Sequence, residues 1–298
     1  FNQVVDSLMD GLSRHRIEID VVLFDGPDYE ELDNRVINLS LVEKNLTSAV
    51  IFSPKGEVQH ASELLYKRPV ILERGKFGPV TSINQEMIDT ARKAFAEHLG
   101  LEQEEILDIM EITLNNLLAQ GEIDQADFLA RLDILNGLGK TVMVTEYGEF
   151  FRLAAYLNRY THAPIGFVLG VVLLREIFDR KYYTDLPGGI LESFGRLFKS
   201  NVRLFAFPAL DEETGELLTS DNLKVADHLK HLFLHLRENG MILPLKTDNP
   251  KPMSLTSAHL ADAIRSGDPL WRSRVTPFVA QMIEENGYWG YQSEKKEE

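Results

Sequence analysis

The chain has 298 residues, enough for one large domain or two modest ones, and 44% of them are hydrophobic. Its 46 acidic and 31 basic residues give a formal net charge of -15, which excludes the basic footprint typical of duplex-binding proteins. Because there is no cysteine, disulfides, thiolate nucleophiles and cysteine-ligated zinc are also excluded. These totals favour a soluble cytoplasmic protein that has no nucleic acid partner.

The first residues predict a helix followed by a strand. Apolar side chains at helical spacing indicate the helix over residues 2–14, and the apolar run at 17–24 predicts the strand. The chain begins with Phe1 inside this helix, so we expect that an N-terminal part of the full protein is missing. The longest apolar run, residues 163–174, is shorter than the roughly 20 residues that span a bilayer, and no membrane partner is expected.

From residue 33 onward, helical segments alternate with short apolar runs rich in β-branched residues. Helices are predicted at 33–45, 62–67, 85–99, 124–138, 149–161, 171–183, from 190 onward and at 223–238. Strands are predicted at 49–52, 69–72, 105–113, 140–145, 163–170, 202–207 and 241–245. This alternation predicts an α/β fold: a mostly parallel, doubly wound, Rossmann-like sheet with helices on both faces. A (β/α)8-type barrel is the alternative, since the strand count permits closure.

The composition changes near the C-terminus. We expect an α/β domain over residues 1–247. From residue 248, prolines punctuate short helical pieces, which indicates a C-terminal helical extension over 248–293. The charged residues 294–298 indicate a disordered tail.

Polar residues follow several of the predicted strands. Arg74 follows one strand, Asn115 and Asn116 follow another, and Glu146 and Tyr147 follow a third. Both candidate folds place ligands at the carboxyl ends of the strands, so this set predicts a substrate-binding rim. Glu146 is the first candidate for acid/base catalysis, a role that requires partial burial of its carboxyl. The alternative is that loops are polar whether or not they bind anything.

A pair of glycines precedes the helix that begins near residue 190. A helix N-terminus leaves N–H groups unpaired and carries partial positive charge, and glycines let an anion approach the backbone. We therefore expect phosphate or carboxylate binding at Gly188 and Gly189, with Arg196 as a clamp and Asp185 as a second acid/base candidate. The alternative is a tight turn in which the helix dipole stabilises Glu192.

Three histidines lie on one face of a predicted helix, because His228, His231 and His235 have the spacing i, i+3 and i+7. Neutral imidazoles so arranged can bind zinc or another transition metal. The leucines and the phenylalanine between them indicate the edge of a packed face instead. We predict no metal among the site residues, and the sequence identifies no cofactor.

Three long strings carry a resemblance to a known family: EITLNNLLAQGEID at 111–124, YGEFFRLAAYL at 147–157 and KYYTDLPGGILESFGRLF at 181–198. They resemble a family of larger bacterial proteins, over about residues 16–291, whose members carry the automatic names nicotinate-nucleotide adenylyltransferase or TonB-dependent receptor. The resemblance implies that a preceding region of the full protein is absent.

Both names can be compared with the sequence. A TonB-dependent receptor is a large outer-membrane barrel, whereas these strands are short continuous apolar runs between helices, so that name does not fit. The adenylyltransferases carry a His-x-Gly-His phosphate motif near the first helix, and none of the eight histidines lies in one.

Three functions stay open after these comparisons. We expect a protein that binds a small anionic, phosphorylated or nucleotide-like metabolite at the strand carboxyl ends and, if it is an enzyme, acts as a transferase. The alternatives are nicotinate-nucleotide adenylyltransferase, as the resemblance implies, and a non-catalytic scaffold or assembly protein. A homo-oligomer also stays open.

Overall fold

The computed structural model describes Ser7 and residues 17–211, 213–248, 250 and 257–292. Apart from Ser7, the helix predicted over residues 2–14 lies outside these residues, and so does the tail predicted at 294–298.

Strands and helices alternate along most of the described chain. The strands are β1 (Ala49–Phe52), β2 (Val58–Gln59), β3 (Val70–Arg74), β4 (Leu107–Thr113), β5 (Thr141–Thr145), β6 (Ile165–Gly170), β7 (Val202–Phe207), β8 (Ala209–Leu210), β9 (Leu217–Leu218) and β10 (Ile242–Pro244). The helices are α1 (Asn34–Glu43), α2 (Ala61–Leu64), α3 (Ser82–Leu99), α4 (Leu114–Leu117), α5 (Gln125–Gly137), α6 (Phe150–Tyr160), α7 (Val171–Glu176), α8 (Gly189–Leu197), α9 (Lys230–Glu238), α10 (Ser257–Ser266) and α11 (Pro277–Asn286).

Eight of these strands form one open sheet in the order β10-β7-β6-β3-β4-β5-β1-β2. The strands from β10 to β5 are parallel, and β1 and β2 extend the sheet antiparallel. The chain runs outward from β3 to β5, returns to β6 beside β3, and runs outward again to β10. This is the doubly wound arrangement, so the predicted fold is confirmed. The sheet has edges at β10 and β2 and does not have the barrel form that was the alternative.

Helices cover both faces of the sheet and create two apolar cores. Alternate residues of a strand point to opposite faces, so Ile71 joins the core under α1, α3 and α5, whereas Leu72 joins the core under α6, α8 and α9. The C-terminal segment packs into the first of these cores through Trp271 and Val279. Within the described residues, no helix combines the length and apolar character needed to cross a membrane.

Residues 17–24 are extended but form no strand, so that prediction was wrong. Backbone groups of this segment form hydrogen bonds with asparagine side chains of α1 instead of with a neighbouring strand. Val22 N donates to Asn38 Oδ1 (3.0 Å) and Phe24 N donates to Asn34 Oδ1 (2.9 Å), and each side-chain amide donates back to the carbonyl of the same residue. The two amides satisfy the donors and acceptors that a neighbouring strand would otherwise satisfy.

Two predicted helices are shorter than the sequence pattern indicates. The helix predicted at 171–183 ends at Glu176, because the Asp179 side chain accepts a bond from Lys181 N (3.0 Å) and begins a separate 3-10 turn, Arg180–Tyr183. The helix predicted at 223–238 begins only at the 3-10 turn Asp227–Leu229.

Close packing across β6 gives a stability prediction. A Cβ atom on Gly166 would lie 2.5 Å from Ile71 Cδ1 and 3.0 Å from Phe205 Cε2, and both side chains are buried. We expect Gly166→Ala to lower the free energy of unfolding by about 1–3 kcal/mol in urea denaturation, because these neighbours must move. Gly195→Ala in α8 is the control, since a Cβ there meets nothing within 4 Å. A loss no larger than that of the control would contradict the packing argument.

Candidate functional site

The carboxyl ends of β3 and β6 form the switch point of the sheet, where doubly wound proteins place their ligands. The loop after β3 is compact. Gly75 N donates to Glu111 O (3.0 Å), and a Cβ on Gly75 would lie 2.6 Å from the buried ring of Phe77. Lys76, between them, is exposed. The loop therefore fixes its backbone against the sheet and presents the Lys76 side chain outward.

The N-terminus of α3 directly follows this loop. Thr81 N donates to Asn84 Oδ1 (3.0 Å) and Asn84 N donates to Thr81 Oγ1 (3.3 Å), which is a capping box. Ser82 N donates to Arg274 O (2.9 Å). The backbone amides of Thr81, Ser82 and Asn84 are therefore all engaged by contacts within the chain.

A buried carboxyl lies beside this capping box. Glu73 is only 1% exposed; Asn84 Nδ2 donates to its Oε1 (2.7 Å), and its Oε2 has no hydrogen-bond partner among the described residues. Burial raises the pKa of Glu73 well above its ordinary value, which favours the protonated carboxyl in the folded chain.

Arg74 points to the opposite face of the sheet and forms a buried ion pair. Its Nε lies 2.6 Å from Glu111 Oε2, and Thr145 Oγ1 donates to Glu111 Oε1. Arg74 Nη2 also donates to Tyr147 O (2.9 Å), and Nη1 donates to Gly148 O. The guanidinium therefore holds the β5–α6 loop in place.

The two predicted residues after β5 make their contacts within the chain. Ser48 Oγ donates to Glu146 Oε1 (2.9 Å), and Glu146 N donates to Ser48 O (3.1 Å). The Tyr147 ring lies 5.6 Å from the ring of Tyr156, and burial raises the pKa of its hydroxyl. The structure brings Tyr147 to Arg74, with Glu146 next in the chain, but these contacts lie within the protein.

The predicted anion site at the glycine pair is filled by a side chain of the same helix. Gly188 N donates to Glu192 Oε2 (2.8 Å), and Arg196 Nη2 donates to Glu192 Oε1 (2.5 Å). Gly188 and Gly189 line a hollow of about 740 Å³, and Asp185 is exposed nearby in the chain. Of the described residues, those that line this hollow do not include Arg74, Asn115, Asn116, Glu146 or Tyr147. The predicted residues therefore do not line this hollow together.

A different cavity, of about 850 Å³, opens at the carboxyl ends of β3 and β4. This carboxyl-end cleft is lined by Lys76, Gly78, Asn116, Arg131, Tyr288 and Trp289, among others. The acidic residues of its lining are Glu122, Asp124, Asp127 and Asp133. Its volume is in the range of small-molecule sites. Asn116 is the predicted site residue that lines it, whereas its neighbour Asn115 is exposed.

Hydrogen bonds fix the walls of the carboxyl-end cleft. Arg131 Nη1 donates to Lys76 O (2.6 Å), and Arg131 pairs with Asp127 at 2.5 Å. Trp289 Nε1 donates to Asp127 Oδ1 (2.7 Å), and Tyr288 Oη donates to an oxygen of Asp133 (2.9 Å).

The aromatic wall also shows backbone strain. Trp289 has a φ of 54°, a left-handed conformation that is costly for a large side chain and is concentrated at functional positions. Lys76, another residue of this lining, is exposed and forms no ion pair within the described chain. The sequence analysis did not identify Lys76 or Trp289, because only the folded structure shows that these two distant residues line the same cavity.

The three histidines are not gathered around a common point. His228 lines the glycine hollow, and the His235 ring nitrogen Nδ1 lies 3.2 Å from Asn239 Nδ2. No group of three or more His, Asp or Glu residues in the described part of the chain is placed to hold a metal ion.

The fold and its cavity define a doubly wound α/β protein with a ligand-sized cleft at the carboxyl ends of parallel strands. No protein-family model matches the sequence, and no curated protein matches it. The chain is similar to the structure of nicotinic acid mononucleotide adenylyltransferase from Plasmodium falciparum complexed with APC: the identity is 10% over 76% of this chain and 98% of that chain, with a TM-score of 0.40.

A putative nicotinate-nucleotide adenylyltransferase from Vibrio parahaemolyticus is similar at 12% identity over 76% of this chain and 97% of that chain, with a TM-score of 0.29. Both names coincide with one of the two carried by the family that the sequence resembles. Similarity of this degree assigns no activity to the chain.

Proposed function

We propose that the protein binds a small anionic metabolite with a planar ring, such as a mononucleotide, in the carboxyl-end cleft. The observation that carries the proposal is the presence of Lys76 and Trp289 in the lining of one cavity of about 850 Å³. The cavity lies at the carboxyl ends of β3 and β4, beside the switch point between β3 and β6.

The two residues support complementary parts of such a ligand. The ammonium of Lys76 is a compact charge on a flexible stem that suits a phosphate. Trp289 offers an aromatic surface whose orientation is fixed in advance by the bond to Asp127, and base–aromatic stacking contributes about 1–3 kcal/mol. Asn116 adds an amide that can donate and accept hydrogen bonds.

Adenylyl transfer is a narrower activity than the one we propose. No His-x-Gly-His string occurs in this sequence, so the imidazoles that this motif would supply as acid or base are not identified here. The proposal is therefore ligand binding, with the transfer reaction that the family name implies left unassigned.

The second candidate function is a non-catalytic scaffold or assembly protein. The predicted catalytic and anion-binding groups already form hydrogen bonds within the chain, which favours this function. Ser48 donates to Glu146, and Glu192 accepts hydrogen bonds from the Gly188 amide and from Arg196. A protein of this kind would use the same fold to present surfaces to partners.

Ligand-induced stabilisation tests the binding proposal. A ligand of the native state at about 100 times its Kd raises stability by roughly 2.7 kcal/mol, so a mononucleotide should raise Tm more than inorganic phosphate or the free nucleoside does. Lys76→Glu and Trp289→Ala should each raise the Kd of the mononucleotide by about tenfold, as measured by calorimetric titration. Lys55→Glu, which changes an exposed lysine in the β1–β2 turn, is the charge-matched control.

The outcomes distinguish the parts of the proposal. No stabilisation by any of these anions at saturation would contradict it. Binding that is equally strong in the wild type and in both cleft variants would place the ligand elsewhere. Binding that is lost in Lys76→Glu and kept in Trp289→Ala would show that the ring is not recognised.

A further inference from the structure

The glycine hollow has an apolar floor. It lies between the 3-10 turn Arg180–Tyr183 and the first turns of α8 and α9, and we name it the α8–α9 groove. Tyr183, Ile190 and Leu229 form the floor and are each more than nine-tenths buried. At the rim, Leu191 is 65% exposed, the highest value among the large hydrophobic residues that the structure describes.

Several polar groups beside this floor are engaged within the chain. Glu192 accepts from Gly188 N and from Arg196, and Tyr183 Oη donates to Ile177 O (2.7 Å). The floor therefore offers carbon surface to an occupant, and an exposed apolar surface beside a buried apolar floor is typical of a protein-binding site.

Cations surround the groove, although the chain as a whole has a net charge of -15. Arg180 and Lys181 line it, and an adjoining hollow that shares Arg180 and His228 is also lined by Arg175 and Lys224. The carboxylates that line these two hollows are Glu176 and Asp179, and Asp179 pairs with Lys181 at 3.0 Å.

This charge distribution selects the kind of occupant. In a two-fold dimer through the groove, a second copy would bring its own cationic rim against this one, which is unfavourable. A partner with carboxylates beside its apolar contacts would be complementary to the rim.

We propose that the α8–α9 groove docks an amphipathic helix of a partner protein, with leucine or phenylalanine anchors on one face and acidic residues flanking them. Two helix starts with an apolar floor between them form the kind of groove that takes such anchors at spacing i, i+3 or i+4, and i+7. The proposal is independent of ligand binding in the carboxyl-end cleft.

The test uses a fluorescently labelled helical peptide with leucines at that spacing and glutamates on the flanks. Its matched control has lysine in place of every glutamate. We expect saturable binding of the glutamate peptide in fluorescence anisotropy, at least about tenfold tighter than binding of the lysine peptide. Leu191→Glu should weaken it by about tenfold or more, and Arg180→Glu should weaken it most at low salt. Leu23→Glu replaces another exposed leucine, one outside the groove, and should leave binding unchanged.

Four results would overturn the proposal. The first is the absence of saturable binding of the glutamate peptide. The second is equal binding of both peptides. The third is an equal loss of binding in Leu191→Glu and Leu23→Glu. The fourth is a wild-type dimer in light scattering that Leu191→Glu dissociates, which would assign the groove to a second copy of the chain.

Discussion

Replacement of Arg74 by methionine is expected to lower the free energy of unfolding by about 3–5 kcal/mol, because it leaves a buried carboxylate without its cation. The side chain of Glu111 is fully buried, and its Oε2 lies 2.6 Å from Arg74 Nε. Methionine keeps much of the apolar volume of the arginine stem and removes the charge. Urea denaturation followed by far-UV circular dichroism measures the loss.

A second substitution separates the lost charge from lost packing. The double variant Arg74→Met/Glu111→Gln leaves no buried charge unpaired. Its glutamine oxygen can still accept the hydrogen bond from Thr145. The double variant should therefore be more stable than Arg74→Met alone, and the cycle should show a coupling of at least about 1 kcal/mol.

The matched control is an exposed ion pair. Arg196→Met breaks the contact with Glu192 at the protein surface, where such pairs contribute at most about 1 kcal/mol. Losses of equal size in Arg74→Met and Arg196→Met would show that burial does not govern the Arg74–Glu111 pair. A double variant less stable than Arg74→Met would contradict the charge argument.

The sequence contains enough information for the sheet because of how parallel strands are buried. Helices cover both faces of such a sheet, so its strands appear as continuous apolar runs. Thr141–Thr145 is such a run, and all of its residues are buried. The segment at 17–24 is also rich in apolar residues but contains Glu18 and Asp20, and the asparagine side chains of α1 take the place of a neighbouring strand.

The candidate site was harder to predict because its charged residues pair with partners that the sequence alone does not place beside them. Arg74 and Glu111 are direct neighbours across β3 and β4, a register that becomes visible only when the strands are paired. At the glycine pair, the helix start was predicted, but the carboxylate of Glu192 turns back onto the Gly188 amide. Both predicted cations are thereby neutralised within the chain.

The carboxyl-end cleft could not be predicted from the strand ends alone. One of its walls, Tyr288 and Trp289, comes from the segment that the sequence marks as a C-terminal helical extension. That segment packs into the core beneath α3 and α5, where its bonds to Asp127 and Asp133 complete the cavity. The contact between these distant parts of the chain creates the site, and no local pattern encodes it.

Glu73→Gln is expected to stabilise the protein by an amount that grows as the pH rises. In the native state burial raises the pKa of Glu73 well above its ordinary value of 4.5, against the lowering effects of the bond from Asn84 and the charge of Lys140. The native state therefore keeps a proton that the unfolded chain releases, so the stability of the wild type falls as pH rises through this interval. The slope approaches about 1.4 kcal/mol per pH unit.

The variant lacks this titration, so the difference in unfolding free energy between the two proteins should be smallest below the ordinary pKa of 4.5 and should widen in favour of Glu73→Gln as the pH rises above it. Urea midpoints measured across this range provide the comparison. Glu57→Gln is the control, because its carboxylate is exposed and its stability curve should run parallel to that of the wild type.

The pH dependence of this difference in unfolding free energy distinguishes the effect of burying Glu73 from the effect of its hydrogen bond. The glutamine oxygen can still accept the bond from Asn84, so loss of that bond would appear as an offset that does not change with pH. A constant offset would therefore mean that Glu73 does not titrate differently in the folded and unfolded chains. A gap that widened towards acidic pH would mean that Glu73 is ionised in the native state. It would then act as a charged partner of Lys140 instead of a neutral acid beneath the first turn of α3.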